Sequence, residues 1–272
     1  MEREELSEII FKNLHNNKAA LKKQFVAHSN KIGFFYLDNL LPKEVALEIY
    51  KKFPRQEETV QKKNLRERKH IGYQMDKYDS LLEEVIYAFQ CKKNVDLIAS
   101  ICICGVREVF ADESLYAGGL SLMGKDSFLN PHLDNSHDKD RISWRVLNLL
   151  YYVTPDWEYT WGGNLEVWPN GLKEKQITIE NKFNRLVVMT THQKSWHSVS
   201  KVLTNKVRCC VSNYYFSEVP LSISDRFHIT TFRGRPQEKI KDVFLQLDNK
   251  FRASIRKLFK KGIRENPHQY KK

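Results

Sequence analysis

The sequence predicts a mainly β protein with flanking helices. Three observations lead there. From residue 115 onward, short apolar segments recur at near-regular spacing with turn residues between them, which argues for a closed or sandwiched β architecture. Both ends of the chain instead carry apolar residues at helical spacing. A chain of 272 residues, 41% of them hydrophobic, can bury one full core.

The elements follow in order. Residues 2–28 place Leu6, Ile9, Ile10, Leu14, Leu21 and Phe25 at helical spacing. Residues 33–37 read as a first strand, and Leu41-Pro42 introduces a helix over 43–53 that Phe53-Pro54 closes. Residues 55–70, RQEETVQKKNLRERKH, are polar and basic and predict a loop. That loop is either a solvated surface segment or a basic lip over a site, with Lys62, Lys63, Arg66, Arg68 and Lys69 as its cations. Helical patterning returns over 78–104, through Leu81, Leu82, Val85, Ile86 and Phe89, then Val95, Leu97 and Ile98.

The strands begin with SLYAGGLSLM, where Gly118-Gly119 marks a bulge. Residues 135–141 form a polar loop, and 144–153 a strand whose interior polar residue is Asn148. A polar side chain inside an apolar strand needs a partner, a cosubstrate or a structural hydrogen bond, and Tyr152 shares its parity. Residues 155–163, PDWEYTWGG, are an aromatic loop, and 164–168, 176–180 and 185–190 are further strands. Asn170-Gly171 and Asn181-Lys182 supply turns between them. Residues 195–203 and 206–216 predict a hairpin around Thr204-Asn205, and 227–233 one more strand. Ile240, Val243, Phe244, Leu247, Phe251, Ile255, Leu258 and Phe259 trace a helical stripe over 236–261, expected to dock on the barrel or to form a dimer seam.

Chemistry concentrates in Pro131-His132-Leu133-Asp134 and, later, Ser195-Trp196-His197-Ser198-Val199 and Arg208. In an extended segment His132 and Asp134 point to one face. Joined by a distant histidine, they make the two-histidine, one-carboxylate facial triad that holds non-haem Fe(II) and leaves positions open. In the predicted hairpin, His197 lies opposite Ser212 and Lys201 opposite Arg208. Arg208 then shares the face of His197, displaced by four residues, about 13 Å of strand. A short dicarboxylate can bridge metal and guanidinium. His137 and His192 compete as ligands, but His137 lies in the polar loop and His192 lacks the relation to Arg208.

The pattern His132-x-Asp134, His197, Arg208, with Gly162-Gly163-Asn164-Leu165 between its halves, resembles the Fe(II)- and 2-oxoglutarate-dependent dioxygenases, in particular the prolyl-4-hydroxylase-like branch. The resemblance spans roughly residues 115–218. Cys210 stands where many relatives carry serine, and arginine at 208 departs from the lysine of collagen-type prolyl hydroxylases. The resemblance implies a double-stranded β-helix, a cupin-like jelly roll. On that reading 1–114 are N-terminal helices and a strand buttressing the barrel, 115–234 the catalytic core, and 235–272 a C-terminal helix, all one integrated domain. It further implies Fe(II) on His132, Asp134 and His197. 2-Oxoglutarate would pair with Arg208, near Asn148 and Tyr152, and O2 would be consumed as a substrate C–H bond is hydroxylated. Succinate and CO2 would be released.

The formal net charge of +12 is spread along the chain with no nucleic-acid motif. It suits an anionic small-molecule substrate, with peptide and nucleotide substrates left open. Two other classes also stay open: a cupin-like metal-dependent isomerase or binding protein, and a nucleic-acid-directed oxygenase. The five cysteines are odd in number and show no zinc spacing, and Cys102-x-Cys104 lies in the apolar run IASICICGV as core packing. No apolar run approaches a membrane span and the N-terminus MEREELSEII is unlike a secretory signal, so the expectation is a cytoplasmic protein without a membrane partner.

Overall fold

The computed structural model describes residues 1–102, 108–258 and 269–270. The N-terminal helical pattern forms two helices, α1 (Arg3–Asn16) and α2 (Lys18–His28), where one was expected. The break falls at Asn17, whose backbone leaves the helical region and whose side chain donates to the Asn13 carbonyl. Strand β1 (Phe34–Asp38) and helix α3 (Lys43–Lys51) follow. The second helical region is likewise split, into α4 (Ser80–Gln90) and α5 (Lys92–Cys102), by the extended backbone of Cys91. Asp79 caps α4 by accepting from the Leu81 amide. Cys104 lies outside the described residues; Cys91, Cys209 and Cys210 are free thiols.

Residues 55–70 are not a loop. They form a hairpin of β2 (Val60–Lys63) and β3 (Glu67–Gly72). The later strands are β4 (Phe110–Ala111), β5 (Gly119–Met123), β6 (Phe128–Leu133) and β7 (Trp144–Tyr152). They continue with β8 (Leu165–Val167), β9 (Ile177–Ile179), β10 (Arg185–Thr190), β11 (His197–Val199), β12 (Arg208–Ser217) and β13 (Thr231–Phe232). All pair antiparallel in one curled sheet ordered β1-β10-β7-β12-β5-β3-β6-β11-β8-β9. This is a jelly-roll half-barrel with flanking helices, the fold class the sequence predicts.

Strand β3 lies between β5 and β6, pairing His70 with Leu122 and Glu67 with Leu129. Main-chain pairing on both sides outweighs the segment's polar composition, which only marked it as accessible. Gly119 opens β5 with positive φ, and a Cβ there would meet the Gly72 carbonyl. The close approach of β3 therefore requires glycine.

The predicted hairpin between 195–203 and 206–216 does not form. Strand β11 pairs with β6 and β8, and β12 with β7, β5 and β4. The intervening amides are taken elsewhere: Ser200 donates to Asn164, Val202 to Ser127 and Leu203 to Trp161. The chain thus crosses from one side of the barrel to the other. Alternation within β12 sends Cys209, Val211 and Tyr215 into the core shared with the helices, while Cys210 and Ser212 line a cavity.

Helix α6 (Lys239–Leu258) also departs from expectation. Its apolar stripe faces outward: Ile240, Val243, Phe244, Leu247 and Phe251 are 57–78% exposed. The helix docks by its polar face. Arg233 donates to Asp242 at 2.7 Å, and Asn249 exchanges two hydrogen bonds with the Phe232 backbone. Leu245 is buried. The side chain of Leu258, and Phe259, lie outside the described residues. Among the described residues no helix is long and apolar enough to cross a membrane.

Candidate metal and cosubstrate site

Strands β6 and β11 bring His132 and His197 directly opposite each other. Their rings lie 4.1 Å apart between centroids. Asp134 follows the end of β6 and completes a group whose potential ligand atoms all lie within 4.8 Å of one another. His132 Nε2 is 3.5 Å from Asp134 Oδ1, and His197 Nε2 is 3.7 Å from Oδ2. Each ring is oriented from behind. His132 Nδ1 donates to the Asn130 carbonyl and His197 Nδ1 to the Ser195 carbonyl, at 3.0 and 2.9 Å. A carbonyl only accepts, so the Nδ1 atoms carry the protons and the Nε2 lone pairs converge on the carboxylate.

The electrostatics fit a divalent cation. Burial, then the neighbouring His132, push His197 down to about 4, so it is neutral at pH 7 and free to ligate. Burial would raise the Asp134 carboxyl, but His132, His197 and Arg145 reverse this and hold it well below the usual carboxylate range. Asp134 Oδ2 is buried without a hydrogen-bond partner. Two imidazole lone pairs aimed at a carboxylate repel unless a cation lies between them.

Arg208 begins β12 and is 2% exposed. Its Nη1 meets Met123 Sδ at 3.3 Å, its guanidinium lies 4.7 Å above the Tyr152 ring, and its Nε has no partner. Among the described residues no carboxylate pairs with it. A buried, unpaired guanidinium is costly, and a carboxylate ligand removes that cost. Gly163, at φ +68°, makes room: a Cβ there would stand 3.1 Å from Arg208 Cδ.

One cavity of about 590 Å³ is lined by His132, Asp134, His197, Arg208 and Asn148 together. The Asn148 Oδ1 and Tyr152 Oη atoms are buried without partners. Tyr152 does not line the cavity; it lies beneath Arg208, and burial pushes its phenol up to about 12. His137 lines the same cavity but is absent from the metal-ligand group; its Nδ1 is engaged by the Asp138 carbonyl and burial lowers it to about 4. His192 stands apart, its Nδ1 accepting from the Lys194 amide.

Sequence reading missed Arg145, whose Nη1 is 3.6 Å from Asp134 Oδ2 and whose guanidinium stacks on Tyr214. By parity it should oppose Asn148, but a register shift where β7 meets Tyr215 and Phe216 turns it into the same cavity. Arg252, Ile255 and Arg256, from α6, were also missed. They were read as part of a generic helix, with Ile255 in its packing stripe.

This geometry is compatible with the Fe(II)- and 2-oxoglutarate-dependent oxygenases. Residues 118–216 match the model of the 2OG-Fe(II) oxygenase superfamily. The chain is similar in fold to a Pseudomonas putida prolyl-4-hydroxylase, at 17% identity and TM-score 0.55, covering 75% of this chain and 100% of that one. A prolyl 4-hydroxylase from Phytophthora capsici shares 16% identity at TM-score 0.55, over 92% of this chain and 78% of that one. A 2OG-Fe(II) oxygenase family oxidoreductase from Burkholderia pseudomallei gives 14% identity and TM-score 0.51, over 74% and 90%. No curated protein matches the sequence.

Proposed function

We propose that His132, Asp134 and His197 hold Fe(II), and that Arg208 binds the far carboxylate of 2-oxoglutarate. What supports this is one observation: three convergent donors and a buried guanidinium that no protein carboxylate pairs with, among the described residues, face a single cavity. Fe(II) and 2-oxoglutarate together supply O2 activation coupled to decarboxylation. The chain's residues orient and enclose. The Asn130 and Ser195 carbonyls fix the imidazoles, and Tyr152 supports the guanidinium from below. The Asn148 amide is available to the cosubstrate, and the apolar side chains of Met123, Leu150 and Val199 limit water. The test is anaerobic loading with Fe(II) and 2-oxoglutarate, then O2 and a metabolite screen. Succinate release stimulated by a co-substrate supports the reading, and no succinate at all sinks it.

The second substrate is an anionic small molecule. Lys62 and Lys69, on the β2–β3 hairpin, line the cavity and favour the lip reading of that segment. Changing both to glutamine should raise the substrate KM several-fold and flatten its dependence on salt, since exposed charges are screened over roughly 8 Å at physiological ionic strength. A KM indifferent to salt and to both changes returns the hairpin to a merely solvated role. Free thiols at Cys91, Cys209 and Cys210 favour a reducing, cytoplasmic setting.

We further infer that a second copy covers the outward face of α6. Exposed side chains from Ile240 to Phe251 span about 17 Å of helix, an outward apolar stripe of the kind that marks an interaction face. Light scattering should show a dimer at micromolar concentration and a monomer for Phe244→Glu. A monomeric wild-type chain disproves the pairing.

A further inference from the structure

The cavity's outer wall is built by two elements distant in sequence. The β2–β3 hairpin contributes Lys62, Arg66 and Lys69, and α6 contributes Arg252 and Arg256. Among the described residues, two carboxylates, Glu67 and Asp248, stand against Lys62, Arg66, Lys69 and Arg252. Glu67 already pairs with Lys69 at 3.1 Å. Asp248 is shared: it accepts from Arg66 Nη1 at 3.2 Å and from Arg252 Nε at 2.8 Å.

Arg252 is held rigidly. Its Nη1 donates to the Thr230 carbonyl at 2.8 Å and its Nη2 to Asn249 Oδ1 at 2.7 Å. Asn249 in turn grips the backbone of Phe232, whose ring stacks on His132 at 5.2 Å. The guanidinium is therefore fixed relative to the metal ligands. Burial, opposed by Asp248, and then the like charge of Arg66 lower the Arg252 pKa. Among the described residues, Asp248 is the one acceptor for the Arg66 guanidinium. Two arginines, each facing the cavity and sharing a single acid behind it, leave charge uncompensated on the cavity side.

We propose that Arg66 and Arg252 form the anion-recognition end of the substrate site, and that the group they read is a phosphate monoester. A monocarboxylate would satisfy one guanidinium. A doubly charged tetrahedral oxyanion engages both and matches the surplus of cations that Lys62 extends. The substrate's carbon skeleton then lies between this end and the metal ligands, and 2-oxoglutarate takes the Arg208 end. The substrate assignment rests on the proposed dioxygenase reaction. The anion site itself does not.

The probe is inorganic phosphate, titrated against chloride at equal ionic strength, with calorimetry on the full-length protein loaded with Mn(II) and 2-oxoglutarate. Wild type should bind phosphate at a saturable site that chloride does not fill. Arg66→Gln and Arg252→Gln should each weaken it about tenfold, in line with the loss of charge-assisted hydrogen bonds. Lys201→Gln, at a separate surface groove, should leave it unchanged. If Arg252→Gln does not fold, Arg252→Lys serves: it keeps the charge, loses the fork, and should fall between the two. Small phosphate monoesters should bind more tightly than free phosphate, because their carbon skeleton adds contacts; free phosphate binding better places a loose ion there and overturns the substrate class. Phosphate binding equal to chloride, or untouched by both arginine changes, overturns the site. Wild-type succinate release is measured in parallel. Its absence with phosphate binding intact sinks the dioxygenase reading and the substrate assignment while leaving the anion site.

Discussion

His197→Ala, His132→Ala and Asp134→Ala should each abolish 2-oxoglutarate turnover and weaken Fe(II) binding by roughly 100-fold or more. Loss of a group that merely supports a ligand already costs 10–100-fold in affinity, and these changes remove the proposed ligands themselves. The donors are buried and pre-aimed, His132 at 4% and His197 at 3% exposure, each ring fixed through Nδ1 by a backbone carbonyl. His192→Ala is the control. Its ring is engaged with the Lys194 amide outside the metal group and should leave iron binding at wild-type strength. Equilibrium dialysis with Fe(II) or Mn(II) decides the matter independently of turnover. Wild-type metal affinity in His197→Ala would move the site.

Arg208→Ala should separate the metal from the cosubstrate. Charge-assisted hydrogen bonds are worth roughly 1.5–3 kcal/mol, so 2-oxoglutarate affinity should fall about tenfold or more while Fe(II) affinity holds. Arg208→Lys should not restore it fully, because a single ammonium lacks the planar fork that lies over Tyr152. The ligand-free protein should tolerate the loss. Among the described residues Arg208 has no carboxylate partner to strand, and removing a buried cation without such a partner relieves a desolvation cost. Thermal melting checks both halves: the transition of the free protein stays near wild type, and its rise on adding 2-oxoglutarate shrinks. An unchanged 2-oxoglutarate dissociation constant removes Arg208 from the role.

The sequence showed the site's residues better than their arrangement. His132-x-Asp134 was legible because period-two alternation is local, and the jelly roll because strand spacing and the resemblance agreed. His197 and Arg208 do share a cavity, but not through the hairpin expected of them. The partners of β11 and β12 depend on where distant loops place acceptors for the amides of 200–203, which no local pattern encodes. Arg145 was hidden by a register shift between β7 and β12, which a single strand's alternation does not reveal. The β2–β3 hairpin was hidden by composition, since its polar and charged residues lie where the sheet meets solvent and ligand. Helix α6 was the converse case. Its stripe correctly marked a helix, but amphipathicity does not say which face a helix turns to its own domain.

The position of β3 has a consequence for shortening the chain. Strands β5 and β6 are neighbours in sequence but never pair with each other; β3 occupies the gap between them. A variant starting beyond residue 72 would therefore not shed a dispensable appendage. It would leave two edges with unanswered amides and carbonyls, Leu120–Leu122 on one and Phe128–Leu129 on the other, both beside the cavity lined by His132, Asp134 and His197. Open edges of that kind recruit strands from other molecules, so trimming here trades a folded enzyme for a seed of aggregation.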